Sequence, residues 1–341
     1  MNLLEKIREK LRPAPPVLQR EDPLPPPQSY FLELTDHCNL RCSMCNFHSP
    51  AVVPTRKKGF MDTGLAVRLL HEIDGLNRDH GIPWVALHGA GEPLLHRDLL
   101  AIIGKTAHLR LSTGFLTNGM LLGEDMSKGL IDAGLSWIGF SIDGTVRETF
   151  NKYRCGAEYD RVVRNALAFI ERARVSRPDL KILVNMTVQD EMREDVPRFI
   201  DFWLPLADEV SVSPCRPIGT RDNILVREAP PIERIPCYML FTMLVVFWDG
   251  SVGLCCEDWF NDGNVGTVSR DTIQSVWNGA VFNRYRTLHK EGRYSLIGLC
   301  ADCNSWYNAV PQTLYDRERD CRIVKGAWQC TYSKNAVPGT P

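Results

Sequence analysis

The segment Leu34–His48 reads LTDHCNLRCSMCNFH and places three cysteines directly after an extended apolar stretch. Cys38, Cys42 and Cys45 have the spacing C-x3-C-x2-C, and no fourth cysteine lies nearby. Cubane iron–sulfur clusters normally bind four cysteine thiolates, so three local ligands would leave one iron open to a small molecule. On spacing alone, a zinc ion completed by a distant cysteine or by His48 is the alternative.

The cysteine segment follows the first of six strand-like patterns, which alternate with helix-like patterns. The strand-like segments are 29–34, 83–89, 109–119, 136–144, 181–189 and 208–214. Such alternation indicates a parallel sheet covered by helices, and six units are too few for a closed eight-stranded barrel. We therefore expect an α/β fold, a partial (β/α)6 TIM-like barrel at 29–217, with function at the carboxyl ends of its strands.

Three further regions are predicted outside the barrel. Residues 1–28 are interpreted as an N-terminal helix followed by a proline-rich linker. Residues 230–320 are predicted to form a small α+β domain, and 321–341 a polar C-terminal tail.

Composition excludes several classes of function. The chain of 341 residues has a formal net charge of -1, which gives no electrostatic footprint for nucleic acid or an anionic membrane. It contains no long apolar run that predicts a membrane span and no secretory signal. Its 12 cysteines therefore favour metal ligands or catalytic groups in a reducing cytoplasm. Cys155 and Cys215 are interpreted as buried small hydrophobic residues.

A second motif, GAGEP at Gly89–Pro93, follows the second predicted strand. Together with the C-x3-C-x2-C loop, it resembles the signature of the radical S-adenosylmethionine (radical SAM) superfamily. The resemblance implies that Cys38, Cys42 and Cys45 hold a [4Fe-4S] cluster whose open iron chelates SAM. It also implies reductive cleavage of SAM to a 5'-deoxyadenosyl radical that abstracts hydrogen from a C–H bond, with a reductant such as flavodoxin or ferredoxin as partner.

The same resemblance implies a set of SAM-binding residues near the strand ends. They are Met44, Gly89, Ala90, Gly91, Glu92, Pro93, Asn118, Ser141, Asp143 and Asn185. Glycines in the GAGEP segment would let the backbone approach the methionine closely, and Met44 stands where the family often has an aromatic residue near the adenine. For the four polar residues from Asn118 onward, turn chemistry at strand ends is the alternative.

A second cysteine set lies in the predicted C-terminal domain. It consists of Cys237, Cys255, Cys300 and Cys303, the last two in a C-x2-C pair. Four thiols suffice for one fully ligated cluster or one zinc ion. The pattern resembles the SPASM domain of radical SAM enzymes, or its shortened form Twitch, which implies one auxiliary [4Fe-4S] cluster on these four residues.

Three other cysteines lie in this part of the chain. Cys321 and Cys330 do not continue the longer cysteine run of the family, so a second auxiliary cluster is not expected there. Cys256 adjoins a ligand, and its S–H could return a hydrogen atom to a substrate radical; burial or redundant ligation is the alternative.

We expect an enzyme that oxidises a small polar metabolite, such as a sugar or aminocyclitol, with the auxiliary cluster as electron acceptor. The alternatives are a redox-neutral epimerase or dehydratase, a peptide- or protein-modifying maturase and, remotely, a non-enzymatic zinc protein. A leader-binding domain does not fit into the roughly 28 residues before the first strand, which favours a small substrate. Arg154, Glu257 and Asp258 could contact substrate, but surface salt bridges are expected for them.

Overall fold

The computed structural model describes residues 24–215, 233–303, 305–306, 311–326 and 329–334. The predicted N-terminal helix lies outside the described residues, as does the segment 216–232.

Six parallel strands form the centre of the fold. They are β1 (Ser29–Leu32), β2 (Trp84–Ala86), β3 (Ser112–Thr117), β4 (Trp137–Ser141), β5 (Lys181–Val188) and β6 (Glu209–Pro214). Each pairs in parallel with its neighbour in the chain. Four of the five β4 residues are buried, as expected where helices cover a parallel sheet. The predicted α/β partial barrel is confirmed, and its sheet is open.

The connections between these strands contain helices. They are α1 (Thr63–Leu76), α2 (Leu99–Thr106), α3 (Glu124–Asp132), α4 (Arg147–Tyr153), α5 (Tyr159–Ser176) and α6 (Val196–Trp203). The α1 helix begins after Asp62, whose carboxylate accepts the Leu65 N–H and caps the first turn. None of the described helices is long and apolar enough to cross a membrane.

The C-terminal region continues the same sheet. Strand β7 (Met243–Val246) pairs in parallel with β1, and β8 (Ser251–Gly253) and β9 (Gly266–Thr267) follow in antiparallel pairing. Three helices lie in this region: α7 (Met239–Thr242), α8 (Ile273–Trp277) and α9 (Ala280–Lys290). The second domain is thus joined to the barrel through backbone hydrogen bonds to β1, as well as through side chains.

The end of the chain differs from its prediction as a loose tail. Strands β10 (Gln312–Asp316), β11 (Cys321–Lys325) and β12 (Cys330–Ser333) form an antiparallel meander, and β12 pairs with β6. Backbone pairing of β12 with β6 attaches the meander to the sheet, and Cys321, Ile323 and Tyr332 pack against the core. Residues 335–341 of the predicted tail lie outside the described residues.

Candidate cofactor and substrate site

The cysteine loop after β1 is fixed to the end of α4 by backbone hydrogen bonds. The Arg41 N–H donates to the Cys155 carbonyl at 3.0 Å, and the Ser43 N–H donates to the Tyr153 carbonyl at 2.9 Å. These backbone hydrogen bonds therefore hold the loop in position, in addition to any packing of its side chains.

Backbone N–H groups surround two of the three sulfur atoms in this loop. The Leu40 N–H donates to Cys38 Sγ at 3.5 Å, and the N–H groups of Phe47 and His48 donate to Cys45 Sγ at 3.4 and 3.2 Å. Such donors stabilise sulfur in its anionic form, which is the form that binds metal.

The thiols of Cys38 and Cys42 are largely shielded from water, so their anionic forms need a positively charged partner. Burial raises the pKa of the Cys38 thiol to about 12 and that of the Cys42 thiol to about 11. Thiolates at these positions therefore need a bound cation, which the iron of a cluster supplies. Among the described residues, no three His, Cys, Asp or Glu side chains converge on the position of a single metal ion. Three thiols in one loop are the ligand set that a cluster with one open iron would use.

The GAGEP segment, Gly89–Pro93, packs directly against the backbone of the cysteine loop. A Cβ atom on Gly91 would overlap the carbonyl oxygens of Thr35 and His37. The Glu92 N–H donates to the His37 carbonyl at 2.8 Å. The absence of a side chain at Gly91 is thus required by contact within the chain itself.

The buried carboxylate of Glu92 links this segment to the end of β3. It accepts hydrogen bonds from Thr117 Oγ1 at 2.8 Å, from the Asn118 N–H at 2.8 Å and from the Leu94 N–H at 3.2 Å. Burial raises its pKa to about 7. The Asn118 amide in turn donates to Asn39 Oδ1 at 2.8 Å. Glu92 and Asn118 therefore connect the end of β3 to the cysteine loop through hydrogen bonds.

Gly91→Ala is expected to weaken SAM binding by about tenfold or more, because the added methyl group must displace the loop that carries the cysteines. Such overpacking costs about 1–3 kcal/mol, and about 1.4 kcal/mol corresponds to tenfold in affinity. Equilibrium binding of SAM to the anaerobically reconstituted protein measures the effect. Gly104→Ala in α2 is the matched control, because a Cβ there meets nothing within 4 Å. Unchanged affinity in Gly91→Ala would contradict the assignment of this contact.

Arg56 connects the barrel to the C-terminal region. Its guanidinium forms a two-pronged ion pair with Glu33 at 2.6 and 2.7 Å, and its Nε donates to the Trp259 carbonyl at 3.0 Å. Glu33 also accepts the Ala90 N–H at 2.9 Å. Sequence reasoning missed both residues. The available signal was Glu33 itself, a charge inside the apolar run SYFLEL at 29–34.

A cavity of about 550 Å³ extends inside the barrel from Trp84 and Trp137, at the amino ends of β2 and β4, to the cysteine loop and the C-terminal region. This volume is typical of small-molecule sites. Five predicted SAM residues line it: Met44, Gly89, Ala90, Ser141 and Asn185. The other five lie outside its lining: Gly91, Glu92, Pro93, Asn118 and Asp143.

Aromatic rings form one wall of the cavity. Trp84 stacks on Trp137 with ring centroids 4.6 Å apart, and Phe31 meets Trp84 edge-on at 5.3 Å. His88 completes this wall; its Nδ1 accepts the Leu116 N–H at 3.2 Å. Burial lowers the pKa of His88 to about 4, so the ring is neutral at physiological pH.

Polar side chains from β6 and β12 form another wall. Ser211 and Thr331 face each other with their hydroxyl oxygens 3.0 Å apart, and the Gln329 amide donates to Ser211 at 2.9 Å. Glu209 adds a carboxylate. The Asn185 amide nitrogen is buried without a hydrogen-bond partner among the described residues. Such an orphaned donor in a cavity wall fits a site that receives a polar ligand.

Asp143 and Arg154 form a buried ion pair. Asp143 is 0% exposed and accepts hydrogen bonds from Arg154 Nε at 2.6 Å and from the Thr187 N–H at 2.7 Å. Arg154 lines the cavity. The expectation of a surface salt bridge for Arg154 is wrong, because its partner Asp143 is buried inside the barrel. Asp143, one of the predicted SAM-binding residues, holds Arg154 in the wall.

Asp258 is also buried, contrary to the expected surface position. Its carboxylate accepts the backbone N–H groups of Leu254, Asp262 and Gly263 at 3.2, 2.8 and 3.1 Å. It therefore organises the loop after β8. The neighbouring Glu257 lines the large cavity.

The structure brings the four cysteines of the second set to one cavity. Cys237, Cys255, Cys300 and Cys303 line one small cavity between α7, α9 and the loop after β8. The Cys303 N–H donates to the Cys300 carbonyl at 3.2 Å, which closes the C-x2-C turn. Burial raises the pKa of the Cys237 thiol to about 12. As in the first loop, buried thiolates here require a bound cation.

The remaining cysteines do not belong to either of these two sets. Cys256 lines the large cavity, with its sulfur 3.9 Å from Met239 Sδ. Cys321 and Cys330 lie on neighbouring strands of the C-terminal meander. Cys215 is buried as predicted, whereas Cys155 is only half-buried.

Comparison with known families agrees with this geometry. The model of the radical SAM superfamily matches residues 32–202, about half of the chain. The SPASM model, an iron–sulfur cluster-binding domain, matches residues 237–304.

Two relatives illustrate the range of proteins that this chain resembles. The tungsten-containing aldehyde ferredoxin oxidoreductase cofactor-modifying protein of Pyrococcus furiosus is 23% identical over 321 residues, covering 80% of this chain and 86% of that protein. The PqqA peptide cyclase of Methylorubrum populi is 32% identical over 191 residues, covering 54% of this chain and 45% of the cyclase.

Solved structures share the fold. BtrN in complex with AdoMet and 2-DOIA superposes with a TM-score of 0.55 at 21% identity, covering 81% of this chain and 92% of BtrN. SuiB of Streptococcus suis bound to S-adenosylmethionine gives 0.61 at 16% identity, covering 77% and 68%. Matched motifs, buried thiols and fold agree: the chain belongs to the radical SAM superfamily, with a SAM-binding [4Fe-4S] site in its core and a C-terminal SPASM domain for auxiliary iron–sulfur binding.

Proposed function

We propose that this protein oxidises a small polar metabolite, such as a sugar or aminocyclitol, and that the auxiliary cluster accepts an electron from it. One observation carries the proposal. Cys255 and Glu257 line both the large cavity and the small cavity of the second cysteine set. A substrate in the large cavity would therefore lie against the protein groups that surround the electron acceptor.

In this proposal, different residues bind SAM and orient the substrate. When bound, SAM and its cluster supply the 5'-deoxyadenosyl radical that removes a hydrogen atom from the substrate. Met44 and Ala90 line the cavity on the side of the cysteine loop, where SAM would lie. The hydroxyls of Ser211 and Thr331 lie in the opposing polar wall and would orient a hydroxyl- or amino-bearing substrate. The Trp84–Trp137 stack, at the amino ends of β2 and β4, would close the base of the cavity.

The proposed reaction removes a hydrogen atom, an electron and a proton from one C–OH or C–NH2 group. The carbonyl or imine product is therefore two hydrogens lighter than the substrate. Glu257 lies where a carboxylate could receive the proton, at the boundary of the two cavities. A flavodoxin or ferredoxin is the proposed reductant for the SAM-binding cluster.

A redox-neutral epimerase or dehydratase is the second candidate. It is favoured by Cys256, which lines the large cavity and carries an S–H that could return a hydrogen atom to a substrate radical. A peptide substrate is the third candidate, because the relatives include a peptide cyclase and the structural neighbours include SuiB bound to its precursor peptide.

Turnover in deuterated water separates these candidates. Anaerobically reconstituted protein receives SAM, a reductant and panels of aminocyclitols, sugars and short peptides, and mass spectrometry follows substrate and 5'-deoxyadenosine together. Oxidation predicts a product two hydrogens lighter, with about one 5'-deoxyadenosine per product. An unchanged skeleton that gains one deuterium, and loses that gain in Cys256→Ala, would replace the proposal by epimerisation. A peptide as the best substrate would overturn the choice of a small metabolite.

A further inference from the structure

His289 on α9 has a buried nitrogen without a partner. Its Nδ1 accepts the N–H of Cys237 at 3.2 Å, which assigns the ring proton to Nε2, because a neutral imidazole has one N–H. Nε2 has no hydrogen-bond partner among the described residues, and the residue is 1% exposed. A buried donor of this kind carries a desolvation penalty unless an acceptor meets it.

Arg234 supplies a second donor of the same kind. Its two terminal nitrogens donate to the carbonyls of Ala301 and Cys300 at 3.1 and 2.6 Å. The guanidinium lies 4.1 Å from the centre of the Tyr294 ring. Its Nε is buried and, within the described ranges, unpartnered.

Both residues line the small cavity that is also lined by Cys237, Cys255, Cys300 and Cys303. Two residues with orphaned N–H groups share this cavity with four cysteines, which points to sulfur atoms as the acceptors. We propose that His289 Nε2 and Arg234 Nε donate hydrogen bonds to the auxiliary cluster and raise its reduction potential.

The tautomer also separates the role of His289 from that of a ligand. A ligating imidazole nitrogen needs a free lone pair, but the proton on Nε2 occupies that position. Four cysteines therefore complete the ligation, and His289 acts as a positioning and tuning residue. N–H donors stabilise the reduced cluster more than the oxidised one, because reduction adds negative charge to the sulfur atoms.

This inference goes beyond the proposed oxidation, since it would hold equally for an epimerase with the same cluster. If the reaction is an oxidation, the two donors explain why the auxiliary cluster accepts the electron. Failure of the oxidation proposal in the turnover assay leaves the potential measurement unaffected, so the two tests are independent.

The test uses the variant in which Cys38, Cys42 and Cys45 are all alanine, so that the auxiliary cluster alone is titrated. In this background, His289→Leu is expected to shift the reduction equilibrium about tenfold toward the oxidised cluster, which is about 59 mV for a one-electron couple. Redox titration followed by electron paramagnetic resonance measures the shift. His289→Gln keeps an N–H donor and is expected to recover part of it.

A matched control and a direct probe complete the test. Tyr294→Phe removes the hydroxyl that donates to the Arg234 carbonyl at 3.3 Å but no donor that lines the cavity, so its potential should be unchanged. In protein with unaltered His289 and exchanged into D2O, electron–nuclear double resonance should detect a deuteron and a histidine nitrogen coupled to the reduced cluster. Absence of that coupling, or an unshifted potential in His289→Leu, would overturn the proposal. Loss of iron in both His289→Leu and His289→Gln would make His289 a ligand and would equally overturn it.

Discussion

Replacing Cys38, Cys42 and Cys45 together by alanine is expected to halve the iron content, from about eight to about four atoms per chain, and to abolish cleavage of SAM. The three thiols are the protein ligands assigned to the SAM-binding cluster, and the auxiliary set lies in a separate cavity. Iron and acid-labile sulfide assays give the stoichiometry, and chromatography of 5'-deoxyadenosine gives the cleavage.

Cys155→Ala is the control for this experiment. Cys155 contacts the loop through its backbone carbonyl, which accepts the Arg41 N–H, so removal of its sulfur should leave about eight iron atoms. Full iron content or residual SAM cleavage in the triple variant would contradict the assignment of the loop.

Asp143→Ala is expected to lower the free energy of unfolding by about 3–5 kcal/mol, because it leaves the buried Arg154 guanidinium without its counter-charge. It also removes the acceptor of the Thr187 N–H. Anaerobic urea unfolding of the cluster-loaded protein, compared with the unsubstituted chain, measures the difference.

The double variant Asp143→Leu/Arg154→Met tests the cause of that loss. It removes both charges, so it should be clearly less destabilised than Asp143→Ala. The exposed pair Arg147–Asp160 is the matched control, with side chains 59% and 52% exposed, and Asp160→Ala should have little effect. An Asp143→Ala effect no larger than that of Asp160→Ala would show that the buried pair contributes nothing.

Local patterns predicted the parts of this protein that depend on neighbours in the chain. Strand and helix periodicity found the six strands β1–β6 of the barrel, but not the parallel pairing of β7 with β1. Close cysteine spacing identified the ligand loop after β1. The C-x2-C pair pointed to the second set because Cys300 and Cys303 lie within one turn. These features are encoded by side chains only a few residues apart.

Long-range pairings could not be predicted in this way. Arg56 binds Glu33 across 23 residues and Trp259 across 203, and neither spacing leaves a periodic signal. The burial of Arg154 depends on Asp143, a partner that a sequence pattern does not reveal. Surface exposure was therefore the wrong expectation for a charge that finds its counter-charge only after folding.

The order of the strands in the chain implies that the cavity wall is completed late, because β12 is the last of the described strands. All seven cysteines assigned to the two clusters precede β12 in the chain, yet β12 supplies Thr331 to the cavity wall. During synthesis, a growing chain therefore contains all seven of these cysteines before β12 can complete the wall of the cavity. A chain cleaved after Lys325 would keep both ligand sets but leave the β6 edge without its partner, open to pairing with another molecule.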